Sequence, residues 1–170
     1  MKSITCLLAL GISLLPLHAD NKPLIDFEAE KQRAIGEITN DGVMGGLSKG
    51  NLKRNKSGSI TFSGTLSLEN NGGFSLWRVA EGEWDLSSAN GIKLRIKGDG
   101  RTFKVRLATD ERFRFGRVSF QADVQTKKDT WTTVTIPFSQ LKPSWRGREL
   151  KNKFDPAKIR ELGIILADKN

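Results

Sequence analysis

The nine residues Asn40-Asp41-Gly42-Val43-Met44-Gly45-Gly46-Leu47-Ser48 concentrate polar side chains and backbone freedom in one short stretch. Its glycines permit conformations that a side chain would forbid. Asn40 and Asp41 can accept hydrogen bonds from nearby backbone amides and hold a turn. Met44 is an apolar plug between the glycines. A phosphate cradle would need Lys-Ser or Lys-Thr and then a helix. Here Leu47-Ser48-Lys49-Gly50 follows with no helical pattern, so nucleotide binding is set aside. Two readings stay open: a structural loop that tucks Met44 against the body of the protein, or a loop that faces a ligand.

A second group opens at Asn70-Asn71-Gly72-Gly73 and runs into Phe74-Ser75-Leu76-Trp77-Arg78-Val79. In a strand, Phe74, Leu76 and Arg78 share one face and Trp77 points the other way. An arginine on an apolar face is costly unless it is paired. Arg78 therefore either anchors an inter-loop network with Asp41 or Glu37, or faces a ligand. Trp77, Trp84 and Trp145 could stack on sugars if they line one surface; the alternative is that they belong to the core.

The third group is basic. Asp99-Gly100, inside Gly98-Asp99-Gly100-Arg101, suits a two-residue hairpin turn. That turn would pair Lys97 with Thr102, Arg95 with Lys104 and Lys93 with Arg106. The last two pairs carry like charges and would each be destabilised by up to about 1 kcal/mol without an anion between them. Arg112, Arg114 and Arg117 extend the region. It is either a surface for an anionic partner or a solvated strand face whose repulsion salt screens.

The scarce residues exclude most catalytic devices. The chain holds one Cys (Cys6), one His (His18) and no Tyr. Both Cys6 and His18 fall in Met1–Ala19, which has the layout of a secretory signal peptide: Lys2, an apolar run from Ile4 to Leu17, then a small residue. The alternative to a cleaved leader is an uncleaved membrane anchor; cleavage after Ala19 would leave a chain without Cys or His. That chain could form no disulfide, no Cys/His zinc site and no Ser-His-Asp or Cys-His nucleophile. Asp26, Glu28, Glu30, Glu37 and Asp41 remain as acids. A carboxylate glycosidase would need two of them about 5 to 9.5 Å apart in a cleft, and no such pair is visible. No cofactor or metal site is expected. The net charge of +9 and the isoelectric point near 9.9 would suit nucleic acid, but export argues against it.

These residues must be positioned by strands, because period-two alternation dominates. Ile60-Phe62-Leu66-Leu68, Ile92-Leu94-Ile96, Phe103-Val105-Leu107 and Val118-Phe120-Ala122-Val124 each place apolar residues on one face. Val134 and Ile136 mark another strand stopped by Pro137, and Gly163–Ala167 reads as a strand covered on both faces. Phe113 and Phe115 are out of phase with Val118 and Phe120, so a bulge or a loop-to-strand transition lies near Gly116-Arg117; the transition is preferred, with Asp110-Glu111-Arg112 read as loop. Phe138 to Leu141 could form a single helical turn. The expectation is all-β: one β-sandwich or jelly-roll domain over residues 20–170.

Four motifs together resemble the complex I intermediate-associated protein 30 family: Asn-Asp-Gly-Val-Met-Gly-Gly-x-Ser at 40–48, Gly-Gly-Phe-x-x-x-Arg at 72–78, Gly-Asp-Gly-Arg at 98–101 and Trp-x-x-Val-x-Ile-Pro-Phe at 131–138. The resemblance runs from about Ile25 to Asp168. It implies a galactose-binding-like β-jelly roll with no catalytic residues to carry over. It also implies an assembly-chaperone role, since mitochondrial members assemble NADH:ubiquinone oxidoreductase. Two features depart from it. The family usually continues into a further Gly-x-Phe-x-Leu strand, whereas this chain ends at Asn170: either that strand is absent, which would leave an open sheet edge, or the sequence is truncated. A leader would also place the protein outside the cytoplasmic membrane, away from the matrix-equivalent side. The expected role is binding without chemistry, in the periplasm or outside the cell, to a protein partner or, alternatively, an envelope or anionic glycan. Membrane-surface or membrane-protein association is also expected. The candidate site is Asn40, Asp41, Met44, Gly45, Gly46, Phe74 and Arg78, with Lys93, Arg95, Lys104 and Arg106 as a second surface.

Overall fold

The structure is a computed structural model that describes residues 2–8, 11–16, 23–27 and 34–167, with side chains described from residue 23 onward. Among these residues there is no α-helix, and two antiparallel sheets of seven strands each make the fold. The strands are β1 (Lys2–Leu8), β2 (Gly11–Pro16), β3 (Pro23–Asp26), β4 (Glu37–Asn40), β5 (Lys49–Arg54), β6 (Ile60–Leu66), β7 (Phe74–Trp84), β8 (Ala89–Lys97), β9 (Thr102–Phe113), β10 (Gly116–Gln125), β11 (Trp131–Pro137), β12 (Lys142–Trp145), β13 (Arg148–Glu149) and β14 (Ile159–Ala167). The first sheet runs β3-β2-β8-β1-β6-β5, with β11 on the other edge of β8. The second runs β13-β12-β10-β9-β14-β7-β4. β1 and β2 fall within the segment read as a leader; β1 pairs along β6 and meets β8 at Lys97 and Ile96.

The alternation seen in the sequence becomes the inter-sheet core. Ile60, Phe62, Ile92, Leu94, Ile96, Phe103, Leu107, Val118 and Phe120 are all buried between the sheets. Trp77 is fully buried among them, stacked on Phe27 at 5.9 Å between centroids and tilted against Phe62 at 6.2 Å. Its indole Nε1 donates to the Ile35 carbonyl at 2.7 Å, so the one polar atom of the ring is satisfied. An aromatic side chain of this kind contributes about 3–5 kcal/mol against truncation to alanine. Strand β14 is interior, bonded to β7 on one side and β9 on the other, as its apolar run predicts. Phe138–Gln140 forms the expected single turn.

Three expectations need correction. First, Gly98–Arg101 is not a hairpin. β8 lies in the first sheet and β9 in the second, and the connection crosses between them. Thr126 fills the corner: its N–H donates to the Arg101 carbonyl at 3.1 Å, and its Oγ1 accepts from Gly100 N at 3.2 Å. Lys93 and Arg95 therefore oppose Thr135 and Thr133 of β11, while Lys104 and Arg106 oppose Asp123 and Gln121 of β10. The like-charged pairs do not form. Second, Asp110-Glu111-Arg112 belongs to β9 rather than to a loop; the turn is Arg114-Phe115, and a register shift lies between Arg117 and Ser119. Third, Leu68 lies beyond the end of β6 and is more than half exposed instead of buried.

Candidate functional site

At one end of the sandwich, the chain leaves β4 in a tight 3₁₀ turn over Asp41–Met44, closed by Gly45 in the left-handed region (φ 87°). The turn drives the Asp41 carboxylate inward, where it is fully buried. Oδ1 accepts from Ser48 N at 2.9 Å. Oδ2 accepts from Ser48 Oγ at 2.5 Å, Gly73 N at 2.6 Å and Phe74 N at 3.2 Å. Ser48 Oγ in turn accepts from Ser67 N at 3.0 Å. Gly46 must lack a side chain, since a Cβ there would sit 2.4 Å from the Asp41 carboxylate. Burial alone would push this carboxyl up. The donors from Ser48, Gly73 and Phe74 outweigh it and hold the group below the usual 3.8. A carboxylate so enclosed does not exchange protons near neutral pH. It ties the 41–48 loop to the loop that ends at Phe74.

Asn40 makes a second tie, its Oδ1 accepting from Gly50 N at 3.1 Å and Ser75 Oγ at 2.8 Å. Sequence reading foresaw this use of Asn40 and Asp41 as one of its two alternatives. The expectation for Met44 fails: it is half exposed rather than tucked in. Val43 (77% exposed), Leu47 and Leu68 are also held in solvent by these two loops. The local cause is the lock itself, which turns the carboxylate in and the apolar residues out.

Arg78 is not part of that network. It lies on the outer face of the second sheet, opposite Glu37 on β4 and Gly163 on β14. Its Nη1 donates to Glu161 Oε2 at 2.9 Å and its Nε to Thr39 Oγ1 at 3.1 Å, with Glu37 at 3.7 Å and Glu81 at 3.8 Å. Arg106 of β9 donates to the other oxygen, Glu161 Oε1. Glu161 is buried, so two guanidiniums clamp one carboxylate across three strands. Burial lowers Arg106 to about 10, helped by the nearby Arg78 and Arg117, and it stays charged at neutral pH. Sequence reading missed Glu161. Its only signal is a lone acid inside the apolar run Ile159–Ala167.

The second candidate surface divides in two. Lys93 and Arg95 face out from the first sheet; Lys104, ion-paired to Asp123, and Arg106 face out from the second. They lie on opposite faces of the sandwich and form no single basic patch. The tryptophan trio also fails to assemble: Trp77 is in the core, while Trp84 and Trp145 are partly buried in separate strands. Among the described residues, no three His, Cys, Asp or Glu side chains converge as a metal-binding group. The inter-sheet space lined by Val79, Ile92, Leu94, Val105 and Leu162 leaves a void of about one water's size, too small for a ligand.

Two antiparallel sheets around one core define a jelly-roll β-sandwich of the galactose-binding-like class. Solved structures with this fold include two family 11 carbohydrate-binding modules from Clostridium thermocellum. One is a complex with a β-1,3-1,4-mixed-linked tetrasaccharide: TM-score 0.61, 18% identity, covering 94% of this chain and 88% of that one. The other, from the cellulosomal cellulase Lic26A-Cel5E, has a TM-score of 0.60 at 18% identity, covering 94% of this chain and 86% of the module. The chain belongs to the complex I intermediate-associated protein 30 family, whose model matches residues 25–170. It is 28% identical over 181 aligned positions to the mitochondrial complex I intermediate-associated protein 30 of Mus musculus. The match covers 88% of this chain but only 55% of the mouse protein, so the chain spans about half the length of that relative.

Proposed function

We propose that this protein is a non-enzymatic binding module of the assembly-factor type, which holds a protein partner at the end of the sandwich built by the Asp41 lock. One observation carries the reading. The most chemically promising carboxylate has its oxygens occupied by structural donors, and what the lock presents to solvent is Val43, Met44, Leu47 and Leu68. Four exposed apolar residues brought together by two loops at one end of the sandwich suit contact with a partner. Family membership supports the same reading, because the mouse relative is named for its association with an intermediate of complex I. The partner class is then a membrane-bound protein or a subcomplex of one. Export, with residues 1–19 and so strands β1 and β2 of the first sheet removed, is part of the proposal. The mass of the protein recovered from the cell envelope tests it, and an intact N-terminus there would overturn it.

The test of function is a crosslinking capture from the protein's own envelope, comparing wild type with Val43→Ser/Met44→Ser/Leu47→Ser. A discrete protein captured by wild type and lost in the folded triple variant supports the reading. Capture that the variant leaves intact overturns it. Retention of polysaccharide with no protein would move the function to the outer face of the second sheet. There Arg78, Gly163, Arg106 and Gln121 line up in one row across four strands, with no side chain at Gly163.

A further inference from the structure

The opposite end of the sandwich carries a feature that neither the family nor the lock explains. Two hairpin tips lie side by side: Arg114-Phe115 between β9 and β10, and Arg146-Gly147 between β12 and β13. Their rings touch, with Trp145 edge-on to Phe113 at 5.4 Å and to Phe115 at 5.2 Å. Guanidiniums lie over these rings. Arg146 sits 4.8 Å from the Phe115 centroid and 5.3 Å from Trp145; Arg114 sits 5.6 Å from Trp145, and Arg148 6.0 Å from Phe113. Phe115 is nevertheless 64% exposed. Gly116 is needed here, because a Cβ would sit 2.9 Å from the Trp145 Nε1.

The charges at this end are unbalanced. Arg112 stands directly opposite Arg117 across the hairpin, a like-charged pair. Arg117 reaches Glu81 at 3.9 Å. Among the described residues, no carboxylate lies within ion-pair distance of Arg112, Arg114, Arg146 or Arg148. The neighbouring acids are Glu111, which accepts from Asn152, and Glu149. A guanidinium stacked on a ring keeps its in-plane N–H groups free for anions and loses little freedom when it binds one.

We infer that this arginine–aromatic tip is a contact site for an anionic lipid surface, with the guanidiniums on the headgroup phosphates and Phe115 and Trp145 at the interface. Three observations select a membrane over the other anions. Guanidiniums already sit 4.8 Å from the Phe115 centroid and 5.3 and 5.6 Å from that of Trp145, so a base or sugar would have to compete with them for those ring faces. The tip is about ten residues, against the 20–30 per side of a specific protein interface. The exposed Phe115 ring and the half-buried Trp145, ringed by arginines without a carboxylate partner, match an interface that is apolar on one side and anionic on the other. The tip lies at the far end from the Asp41 lock, since Phe74 pairs with Ala167 at one end of β7 and Trp84 with Ile159 at the other. Docking there would leave the lock loops pointing away from the bilayer.

The test is sedimentation of the full chain with phosphatidylcholine vesicles, with and without phosphatidylglycerol, alongside soluble polyglutamate. The variants are Arg114→Gln/Arg146→Gln/Arg148→Gln and Phe115→Ser, each checked for an unchanged unfolding midpoint. All share the apolar stretch 4–17, so differences between them report the tip alone. The expected result is preferential binding to phosphatidylglycerol vesicles, weakened by salt. The triple arginine variant should lose about a hundredfold in partition, at roughly fivefold per guanidinium. Phe115→Ser should lose several-fold, with no change in polyglutamate binding. Brominated lipid should quench wild-type emission, and Trp145→Phe should remove that quenching. Equal binding by all variants overturns the inference. So does polyglutamate binding without vesicle binding, which would assign the tip to an acidic protein segment.

Discussion

Among the described residues two carboxylates are buried, and they are held by opposite means. Asp41 is surrounded by neutral donors, three of them backbone amides, drawn from two loops. Glu161 is gripped by two guanidiniums from the strands on either side of its own. The difference lies in what each leaves behind when it is removed. Without Asp41, three backbone amides and one hydroxyl lose their acceptor, and all four are neutral. Without Glu161, a largely buried Arg106 keeps its charge and loses the carboxylate that it is bonded to.

The sharpest break is therefore Glu161→Gln. Removing one partner of a buried pair costs about 3–5 kcal/mol, because the remaining charge is stranded. Chemical denaturation should show that loss, and adding Arg106→Leu to the same chain should recover a large part of it. A single variant within 1 kcal/mol of wild type would mean that solvent already serves Arg106.

Asp41→Asn comes next. The amide cannot accept on both sides, so it turns an N–H toward donors that the carboxylate had satisfied. The expected cost is about 2–3 kcal/mol. The comparison sharpens with pH. The Asp41 pKa is held below 3.8 in the folded protein. Its stabilisation is thus complete above the unfolded value and is lost as pH falls through the lower folded one. The stability gap between wild type and Asp41→Asn should stay constant from pH 5 to 8 and narrow only below about pH 4. A gap that narrows already near pH 6 would contradict an enclosed carboxylate.

The two carboxylates also differ in how readable they were. Asn40, Asp41, Gly45, Gly46 and Ser48 are neighbours in the chain, and turn chemistry is local, so the stretch announced itself. Glu161 meets Arg78 and Arg106 across separations of 83 and 55 residues, which no local pattern encodes. The same limit explains the failed hairpin. Asp99-Gly100 makes a tight reversal in either case. Whether the next strand pairs back or crosses to the other sheet depends on β11 docking beside β8 and β14 beside β9. Strand faces were legible because alternation is local and the core enforces it: Phe62, Leu94, Phe103 and Phe120 all sit where period two puts them. The arginine–aromatic tip was half legible. Arg112, Arg114 and Arg117 stood out as basic, but Trp145, Arg146 and Arg148 arrive from a different hairpin.

The smallest effect on stability belongs to the residues that the lock exposes. Val43 and Met44 lie in the turn whose carboxylate is buried, yet their own side chains face water. Replacing Val43, Met44 and Leu47 with serine removes no core contact, so each change should stay within about 0.5 kcal/mol of wild type. Asp41→Asn alters no exposed apolar residue. Set side by side, the two variants separate scaffold from surface. The serine triple should unfold like wild type and lose its partner. Asp41→Asn should unfold early, yet keep its partner in proportion to the fraction still folded at low temperature. If Asp41→Asn instead lost the partner while still folded, the order of the loops, and not merely the apolar side chains, would be what the partner recognises.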